Sequence, residues 1–333
     1  TVTRPCKNML DFMMSSNVGD DVFKEDPTVN ELEKMLAQMF GKESALFFPS
    51  GTMANQTAIK IHTDPGDQLI CDKYAHVYNY EGGGVSFNSG VSCKLIDGHR
   101  GMFTNEQVVK SINPPDFYHS PKTSLVCVEN TTNKGGGACW DINELIKIKQ
   151  TCKEHNLFYH LDGARIWNAM VKTNTKPIQY GNIFDSISIC LSKGLGCPVG
   201  SVLIGSSELI NKAIRVRKVL GGGMRQAGYL AACGIYALNN NIERLKEDHL
   251  KAFEIEKLLS EKHYIKKVEE VETNILIFQL KSNYDSNIFL DKMLKSGVKL
   301  ISMGDNKLRI VTHKDYNNEM HQKFIEIITN LQI

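Results

Sequence analysis

The chain has 333 residues, of which 42% are hydrophobic and 23% are charged, and its formal net charge is +2. A charge so close to neutral gives no reason to expect a nucleic-acid partner or an anionic membrane surface. No run of apolar residues approaches the roughly 18 that a membrane span requires. A chain of this length exceeds what one core usually holds, which predicts a large domain and a smaller one.

Nine cysteines are spread along the chain without any Cys-x-x-Cys pair. Several of them, such as Cys71, Cys127 and Cys190, lie inside apolar runs. Buried, reduced thiols are typical of intracellular proteins. We therefore expect free cysteines, no metal site and a cytoplasmic location.

The first clear element is a helix that begins at Asp26-Pro27, because Asp suits the N-cap and Pro the first helical position. Apolar residues then recur at helical spacing, and Gly41 can end the helix. The next apolar run, residues 45–48, predicts a short strand. This strand leads into Ser50-Gly51-Thr52, which is typical of the start of another helix.

Apolar, β-rich runs then alternate with helix-prone stretches such as 141–156. The plainest runs cover residues 69–71, 125–128, 157–161 and 187–191. Continuous apolar strands that alternate with helices predict an α/β fold, in which helices flank a mostly parallel sheet on both faces. In such sheets, binding sites lie beyond the carboxyl ends of the strands.

From about residue 236 the pattern changes to a long amphipathic stretch, followed by short strands and helices. We expect a strand at 274–280, a helix at 285–296, strands at 298–303 and 308–312, and a final helix. This order predicts a smaller C-terminal α+β domain. The expected division is therefore an N-terminal segment at 1–20, a large domain at 21–235 and a small domain at 236–333.

Two polar residues follow the ends of predicted strands. Asp162 comes directly after the run 157–161, and Lys193 comes shortly after the run 187–191. A lysine that forms a Schiff base and a carboxylate that keeps a pyridine nitrogen protonated are the minimum equipment for pyridoxal phosphate. Taken alone, the spacing also fits a solvated loop lysine and an aspartate in a simple turn.

The segment Ser50-Gly51-Thr52 can hold a phosphate group. Backbone N–H groups at a helix start, a glycine that permits close approach and a hydroxyl donor all favour an anion. An ordinary capped helix start would have the same sequence. The chain has no Gly-Lys-Ser/Thr of a P-loop and no GxGxxG that opens a helix after a strand, which disfavours ATP and NAD.

Other candidate residues carry imidazole or guanidinium groups. His76 lies before three glycines at 82–84, and His119 lies in a loop-like stretch before the strand at 125. Either histidine can stack on a ring or move a proton near neutral pH, although surface and core histidines are commoner. Arg309 is either a solvated sheet residue or a carboxylate clamp. The basic segment 215–225 suits anion recognition or a solvated helix end.

Eight motifs, in order along nearly the whole chain, resemble those of the low-specificity L-threonine aldolases, within the β-eliminating lyase/threonine aldolase family. They are TVTRP from Thr1, NVGDD from Asn17, PSGTMAN from Pro49, YEGGG from Tyr80, LDGAR from Leu161, LSKGL from Leu191, GGGMRQ from Gly221 and RIVTH from Arg309. One departure is Thr132, which stands where the family often has a histidine.

The resemblance implies a fold-type I pyridoxal-phosphate enzyme. Its activity would be the reversible retro-aldol cleavage of L-threonine, L-allo-threonine and other β-hydroxy-α-amino acids to glycine and an aldehyde. Lys193 would be the Schiff-base lysine, Asp162 the partner of the pyridine nitrogen, and His76 would stack on the cofactor ring. Gly51, Thr52 and Ser192 would hold the phosphate.

The same resemblance implies how the substrate is bound and how subunits cooperate. Arg165 and Arg309 would bind the substrate carboxylate, with help from the region of Thr1 at the rim of the site. His119 would lie near the substrate hydroxyl. Two basic residues would reach the site of a neighbouring subunit, because the family's active sites lie at a dimer interface, usually within a homotetramer. These residues are Lys218 and Arg225.

Three questions stay open at the level of sequence. The base that takes the hydroxyl proton is His76, His119 or a water that they hold. The preference for threonine or allo-threonine is not determined. β-Elimination and transamination would use the same Lys193 and Asp162, and a non-catalytic cofactor-binding or scaffold protein is a rival of a different class. The retention of Lys193, Arg165 and Arg309 argues against that last alternative.

Overall fold

The computed structural model describes residues 2–332, so the predicted role of Thr1 lies outside the described residues. Two sheets organise this part of the chain. The strands are β1 (Ser44–Phe48), β2 (Gln68–Asp72), β3 (Ser92–Ile96), β4 (Thr123–Glu129), β5 (Phe158–Gly163), β6 (Ser186–Cys190), β7 (Ser201–Gly205), β8 (Ile265–Val268), β9 (Ile275–Leu280), β10 (Ile301–Gly304) and β11 (Lys307–Val311).

A short 3-10 helix covers Asp21–Phe23. The α-helices are α1 (Lys7–Met14), α2 (Pro27–Met39), α3 (Gly51–His62), α4 (His76–Asn79), α5 (Gly84–Ser89), α6 (Asn105–Ser111), α7 (Ile142–Glu154), α8 (Ile166–Thr173), α9 (Pro177–Ile183), α10 (Ser207–Val219), α11 (Gly228–Asn240), α12 (Leu245–Ser260), α13 (Ser286–Lys295) and α14 (Asn318–Asn330).

The larger sheet has the strand order β1-β7-β6-β5-β4-β2-β3. Strands β6, β5, β4, β2 and β3 pair in parallel. Strand β7 is antiparallel to both of its neighbours, β6 and β1. Because it lies between them, β1 runs in the same direction as β6, and its carboxyl end lies at the same edge of the sheet. The predicted α/β fold with a mostly parallel sheet is confirmed.

Local capping explains where the helices near this edge begin. The side chain of Asp26 accepts hydrogen bonds from the backbone N–H groups of the first turn of α2, and Pro27 is the first residue. Gly41, just after α2, adopts a φ of 62°, a conformation that glycine tolerates best. The hydroxyl of Ser50 accepts from the N–H of Met53 and caps α3. These predicted boundaries are confirmed.

Some elements differ from the sequence-based expectations. Asp162 is not beyond β5 but is its second-last residue, and it pairs with Glu129 of β4. Strand β10 begins at Ile301 rather than at the predicted Val298. The apolar side chains of Val298 and Leu300 pack on the hydrophobic core of the C-terminal part of the chain without joining the edge strand. Apolar character alone therefore placed the start of the strand too early.

The smaller sheet, of order β10-β11-β9-β8, is wholly antiparallel. Its buried apolar residues lie between Ala252 and Ile328 and form a core of their own. Leu238 and Leu245 still belong to the first core, which is the hydrophobic core around the larger sheet. The change from one core to the other therefore occurs along α12, and the division of the chain at residue 236 stays a prediction.

Two further expectations concern membranes and thiols. Within residues 2–332, no helix is both long enough and apolar enough to cross a membrane. All nine cysteines are free, and six of them are buried. The predicted free thiols are thus confirmed.

Candidate active site

A cavity of about 230 Å³ opens at the carboxyl edge of the larger sheet, between the ends of β5 and β6 and the start of α3. Its walls include most of the residues predicted to bind cofactor. The lining includes Gly51, Thr52, Asn55, His76, Asp162, Cys190, Ser192 and Lys193. Gly51 and Lys193 are 142 positions apart in the sequence, and they line one cavity because β1 and β6 end at the same edge of the sheet.

Lys193 lies in the loop that follows β6, two residues before Leu195 enters the first core. Its Nζ lies 2.9 Å from Sγ of Cys190, the last residue of β6. Its carbonyl oxygen accepts a hydrogen bond from the hydroxyl of Thr3 at 2.7 Å. The N-terminal segment therefore packs against the lysine loop, and its predicted role at the rim of the site stays a prediction.

Asp162 is buried, and only one of its carboxylate oxygens is satisfied. Oδ1 accepts from the backbone N–H of Ala164 at 3.1 Å, whereas Oδ2 has no partner among the described residues. A buried carboxylate oxygen without a donor is costly, and such exceptions call for a functional explanation. Because Asp162 lines the cavity, a protonated ring nitrogen of a bound cofactor would supply the missing donor.

The start of α3 forms the opposite wall. A Cβ atom placed on Gly51 would lie 2.6 Å from Sγ of Cys190, so no larger residue fits without displacement. The first backbone N–H groups of a 12-residue helix are available here, beside the hydroxyl of Thr52. An anion-binding helix start, a lysine and an unsatisfied carboxylate oxygen together fit the phosphate, aldehyde and ring nitrogen of pyridoxal phosphate.

His76 begins α4, just after β2, and is fixed at two points. Its backbone N–H donates to Oε2 of Glu129 at 3.0 Å, and its Nδ1 lies 2.9 Å from Oε1 of Glu81. Partial burial opposes protonation of the ring. The hydrogen bond to Glu81 and the negative charges of Asp162, Glu81 and Glu129 outweigh it and raise the pKa of His76.

Glu129 is a buried carboxyl group that sequence reasoning did not single out. Besides His76, it accepts the backbone N–H of Asn133 at 2.9 Å, so it joins two segments of the site. Burial, followed by the charge of Asp162, raises the pKa of Glu129 to about 7. The departure noted at Thr132 lies within this Glu-Asn-Thr-Thr-Asn segment, and that motif was the available signal.

Arg165 comes just after β5 and precedes α8, whereas Arg309 lies in β11 of the smaller sheet, and the two are close enough for their charges to interact. Arg165 is 7% exposed, and burial lowers its pKa. Burial and then the charge of Arg165 lower the pKa of Arg309 to about 10. The Nε atoms of both are buried without a partner in the described part of the chain. Arg165 follows Ala164, which lines the cavity, and Arg309 lines an adjoining cavity of about 960 Å³ that shares His76 with it. Two guanidinium groups so placed suit a carboxylate, which can accept bidentate hydrogen bonds.

Five predicted site residues within the described part of the chain are absent from the lining of this cavity, namely Arg165 and Arg309, which lie near it, and three that lie elsewhere. His119 is exposed between the rings of Phe117 and Tyr118, with centroids at 5.1 and 4.1 Å. Its loop precedes β4 and therefore lies at the amino edge of the sheet. Two basic residues are also exposed and outside the lining that residues 2–332 provide. They are Lys218 and Arg225, and Arg225 pairs with Asp20 at 2.6 Å.

One group of potential metal ligands occurs in the described residues. Ligand atoms of His76, Glu81 and Asp162 lie within 4.8 Å of one another. Both oxygens of Glu81 already accept hydrogen bonds from amide side chains and His76. These residues line or border the cavity described above.

Sequence and structure comparisons agree with this geometry. Residues 1–283 match the family described as β-eliminating lyase. The chain is 39% identical to the low-specificity L-threonine aldolase 1 of Arabidopsis thaliana, with coverage of 94% of this chain and 89% of the relative. It is 41% identical to the low specificity L-threonine aldolase of Escherichia coli K12, with coverage of 96% and 93%.

A solved structure shares the fold at lower identity. The threonine aldolase of Leishmania major superposes with a TM-score of 0.84 at 20% identity, covering 98% of this chain and 96% of that chain. The fold and the family match define the class, because the chain belongs to the β-eliminating lyases, a pyridoxal-phosphate family. Within that class, its relatives place it among the low-specificity L-threonine aldolases, and the protein is a lyase.

Proposed function

We propose that this protein binds pyridoxal phosphate through Lys193 and cleaves L-threonine, L-allo-threonine and related β-hydroxy-α-amino acids to glycine and an aldehyde. The observation that carries the proposal is a pair of guanidinium groups near the Lys193 cavity, each with a buried Nε that has no partner among the described residues. Arg165 follows Ala164, which lines this cavity, and Arg309 lines an adjoining cavity that shares His76 with it. Without an amino-acid carboxylate, Arg165 and Arg309 repel each other in a buried place. A bound carboxylate would offset this repulsion and satisfy the free donors of both groups.

The side chains suggest a division of work during cleavage. When bound, pyridoxal phosphate would supply an electron sink for the electron pair of the Cα–Cβ bond. Arg165 and Arg309 hold the substrate carboxylate, which fixes rotation about Cα and so orients the Cα–Cβ bond. The carboxylate of Asp162 stabilises the positive charge on the protonated pyridine nitrogen of the cofactor. Gly51, Thr52 and Ser192 hold the phosphate.

Proton transfer completes the reaction. The β-hydroxyl proton goes to a base as the Cα–Cβ bond breaks, the aldehyde leaves, and a proton added to Cα gives glycine. His76 lines the cavity and can act directly or through a water. General-base help of this kind is typically worth about 10²–10⁴-fold.

We also propose that the complete site needs a second copy of the chain. His119 lies at the amino edge of its own sheet, so a role at the substrate hydroxyl requires that it serve a neighbouring site. The exposed positions of Lys218 and Arg225 support the same arrangement. A homodimer within a homotetramer, a cytoplasmic location and the three-part division of the chain stay proposals.

The test is a product assay with the purified protein and added pyridoxal phosphate. L-Threonine and L-allo-threonine are supplied separately, and glycine and acetaldehyde are measured beside pyruvate, ammonia and 2-oxobutyrate. Equal amounts of glycine and acetaldehyde would support aldol cleavage. Ammonia or 2-oxo acids without glycine would reject it in favour of elimination or transamination. The rates with the two diastereomers measure stereochemical preference.

A further inference from the structure

A line of buried polar side chains runs from the cavity into the larger sheet. The carboxylate of Glu81, which is fully buried, lies at the cavity end. Its Oε1 accepts from Nδ2 of Asn55 at 2.9 Å, and its Oε2 accepts from Nε2 of Gln56 at 2.7 Å. Nδ1 of His76 lies 2.9 Å from the same Oε1. The Glu81 carboxylate accepts from two amide N–H groups and has no proton of its own to donate, so the contact with His76 requires a proton on Nδ1 of the ring.

The orientation of the Asn55 amide follows from this carboxylate. Its nitrogen faces Glu81, so its oxygen faces inward, where it accepts from the hydroxyl of Ser188 at 2.5 Å. Nε2 of His160 lies 3.2 Å from the same oxygen and must therefore be the protonated ring nitrogen. A reversed amide would place two oxygens against each other at Glu81.

The same logic fixes the deeper end of the line. Since His160 is protonated on Nε2, its Nδ1 accepts the hydroxyl proton of Ser186 at 2.8 Å. The Ser186 oxygen then accepts from Nε2 of His62 at 2.7 Å. This leaves Nδ1 of His62 as a bare acceptor, and that atom has no partner among the described residues. An unsatisfied lone pair costs less than an unsatisfied buried N–H. One assignment of donors and acceptors therefore satisfies the whole line from Glu81 to His62.

Burial also keeps both inner histidines neutral. It lowers the pKa of His160 to about 3 and that of His62 to about 3. His160 is 0% exposed and is not part of the cavity lining. A neutral histidine so far inside the sheet has no access to substrate. Within residues 2–332, its side-chain hydrogen bonds go to Ser186 and Asn55, and of these two residues Asn55 lines the cavity.

We propose that His160 is a positioning residue: its Nε2–H fixes the Asn55 amide, and the Asn55–Glu81 hydrogen bond keeps the carboxylate at Nδ1 of His76, which holds the His76 proton on that atom. The Nε2 of His76 is then the ring nitrogen free to exchange protons or to orient a water. The catalytic consequence rests on the proposed aldol cleavage, whereas the tautomer itself does not.

The experiment is magic-angle-spinning NMR of the [¹⁵N]histidine-labelled holoenzyme. The protein has ten histidines, so the His76 signals are identified as those absent from His76→Asn. In the wild type, at a pH above the raised pKa of His76, the neutral ring should show a protonated Nδ1 and a bare Nε2. In His160→Leu the Asn55 amide can rotate and release Glu81, so the two His76 nitrogens should average toward one another. The kcat should fall about tenfold with KM unchanged.

Two variants separate positioning from packing. His160→Gln keeps an N–H within reach of Asn55 and should restore the His76 signals and most of kcat. His249→Leu removes another histidine, which contacts Asn168 outside the line, and should change neither. If His160→Leu does not fold, Ser186→Ala, which removes the donor to His160, is read by the same spectrum.

Unchanged His76 signals in a folded His160→Leu or Ser186→Ala protein would overturn the proposal. The spectrum requires no substrate. A protein without aldol activity but with the predicted tautomer shift would reject the proposed function and keep the positioning role.

Discussion

Gly51 and Cys190 approach so closely that a Cβ atom at position 51 would lie 2.6 Å from the Cys190 sulfur. The contact joins the first residue of α3 to the last residue of β6, and both line the cavity. The same sulfur lies 2.9 Å from Nζ of Lys193. One small side chain thus sets the distance between the helix that would bind phosphate and the lysine that would bind the cofactor aldehyde.

This contact predicts that Gly51→Ala weakens cofactor binding. Overpacking of this kind typically costs about 1–3 kcal/mol, which corresponds to a cofactor Kd raised about 5- to 150-fold. Titration of the cofactor-free protein with pyridoxal phosphate measures the change. Adding Cys190→Ala should relieve the clash and recover part of the affinity.

Gly205→Ala is the matched control, because its added Cβ would meet other atoms at no less than 3.4 Å. It should bind cofactor like the wild type. Wild-type affinity in Gly51→Ala would contradict the assignment of this helix start to the phosphate.

The unpaired charge of Arg165 predicts opposite effects on activity and stability. Arg165→Leu should lower kcat/KM about 10- to 150-fold, since hydrogen bonds to charged groups contribute about 1.5–3 kcal/mol. Without substrate, the same change should raise the free energy of unfolding by about 1 kcal/mol, because it removes a buried charge. Denaturant titrations with and without amino acid measure both effects.

Arg217 provides the contrasting control. It is buried too, but it pairs with Asp21 at 2.9 Å and donates to the carbonyl of Phe47 at 2.7 Å. Arg217→Leu should therefore destabilise the protein by about 3–5 kcal/mol, since it leaves Asp21 buried and unpaired. An equal loss in the free energy of unfolding in the Arg165 and Arg217 variants would contradict the proposal that Arg165 lacks a partner until it binds a carboxylate.

Asp162→Asn keeps the shape of the side chain but removes the charge that would face the cofactor ring. We expect measurable cofactor binding with kcat lowered by about 10²–10³-fold, the usual scale for a lost electrostatic contact to developing charge. Steady-state kinetics at saturating cofactor measures it. An unimpaired kcat would mean that Asp162 has no role in the electron sink.

The neutral burial of His62 predicts a change in stability with pH. Burial lowers its pKa from 6.5 to about 3, so between these values the unfolded chain binds a proton that the folded protein does not. Stability therefore falls as pH falls from about 6.5 to about 3, by up to about 1.4 kcal/mol per pH unit. In urea titrations, His62→Gln should make the fall in the free energy of unfolding less steep. Part of the fall should remain, because His160 is also buried with a lowered pKa. An unaltered slope would contradict the assignment.

The sequence predicted those features that depend on local chemistry. Capping at Asp26 and Ser50 placed two helix starts, and strand ends placed Asp162 and Lys193 at one edge. Motif resemblance added Arg165 to the candidate site. Each of these signals is carried by a few consecutive residues.

Contacts between distant residues could not be read in this way. The approach of Gly51 to Cys190 depends on the antiparallel strand β7, which makes β1 and β6 parallel and was not predicted. The line from His62 to Glu81 joins side chains of separate elements, and no spacing in the sequence reveals it. The position of His119 at the far edge follows from strand direction, whereas a motif gives only its order along the chain.

The central claim is that Lys193 carries the cofactor for aldol cleavage, and Lys193→Ala tests it most directly. The wild-type protein with pyridoxal phosphate should retain visible cofactor absorption after gel filtration and release glycine and acetaldehyde from L-threonine. Lys193→Ala should lose both the retained absorption and the turnover, while its circular dichroism stays that of the wild type. A folded Lys193→Ala protein that releases glycine at a near-wild-type rate would contradict the account.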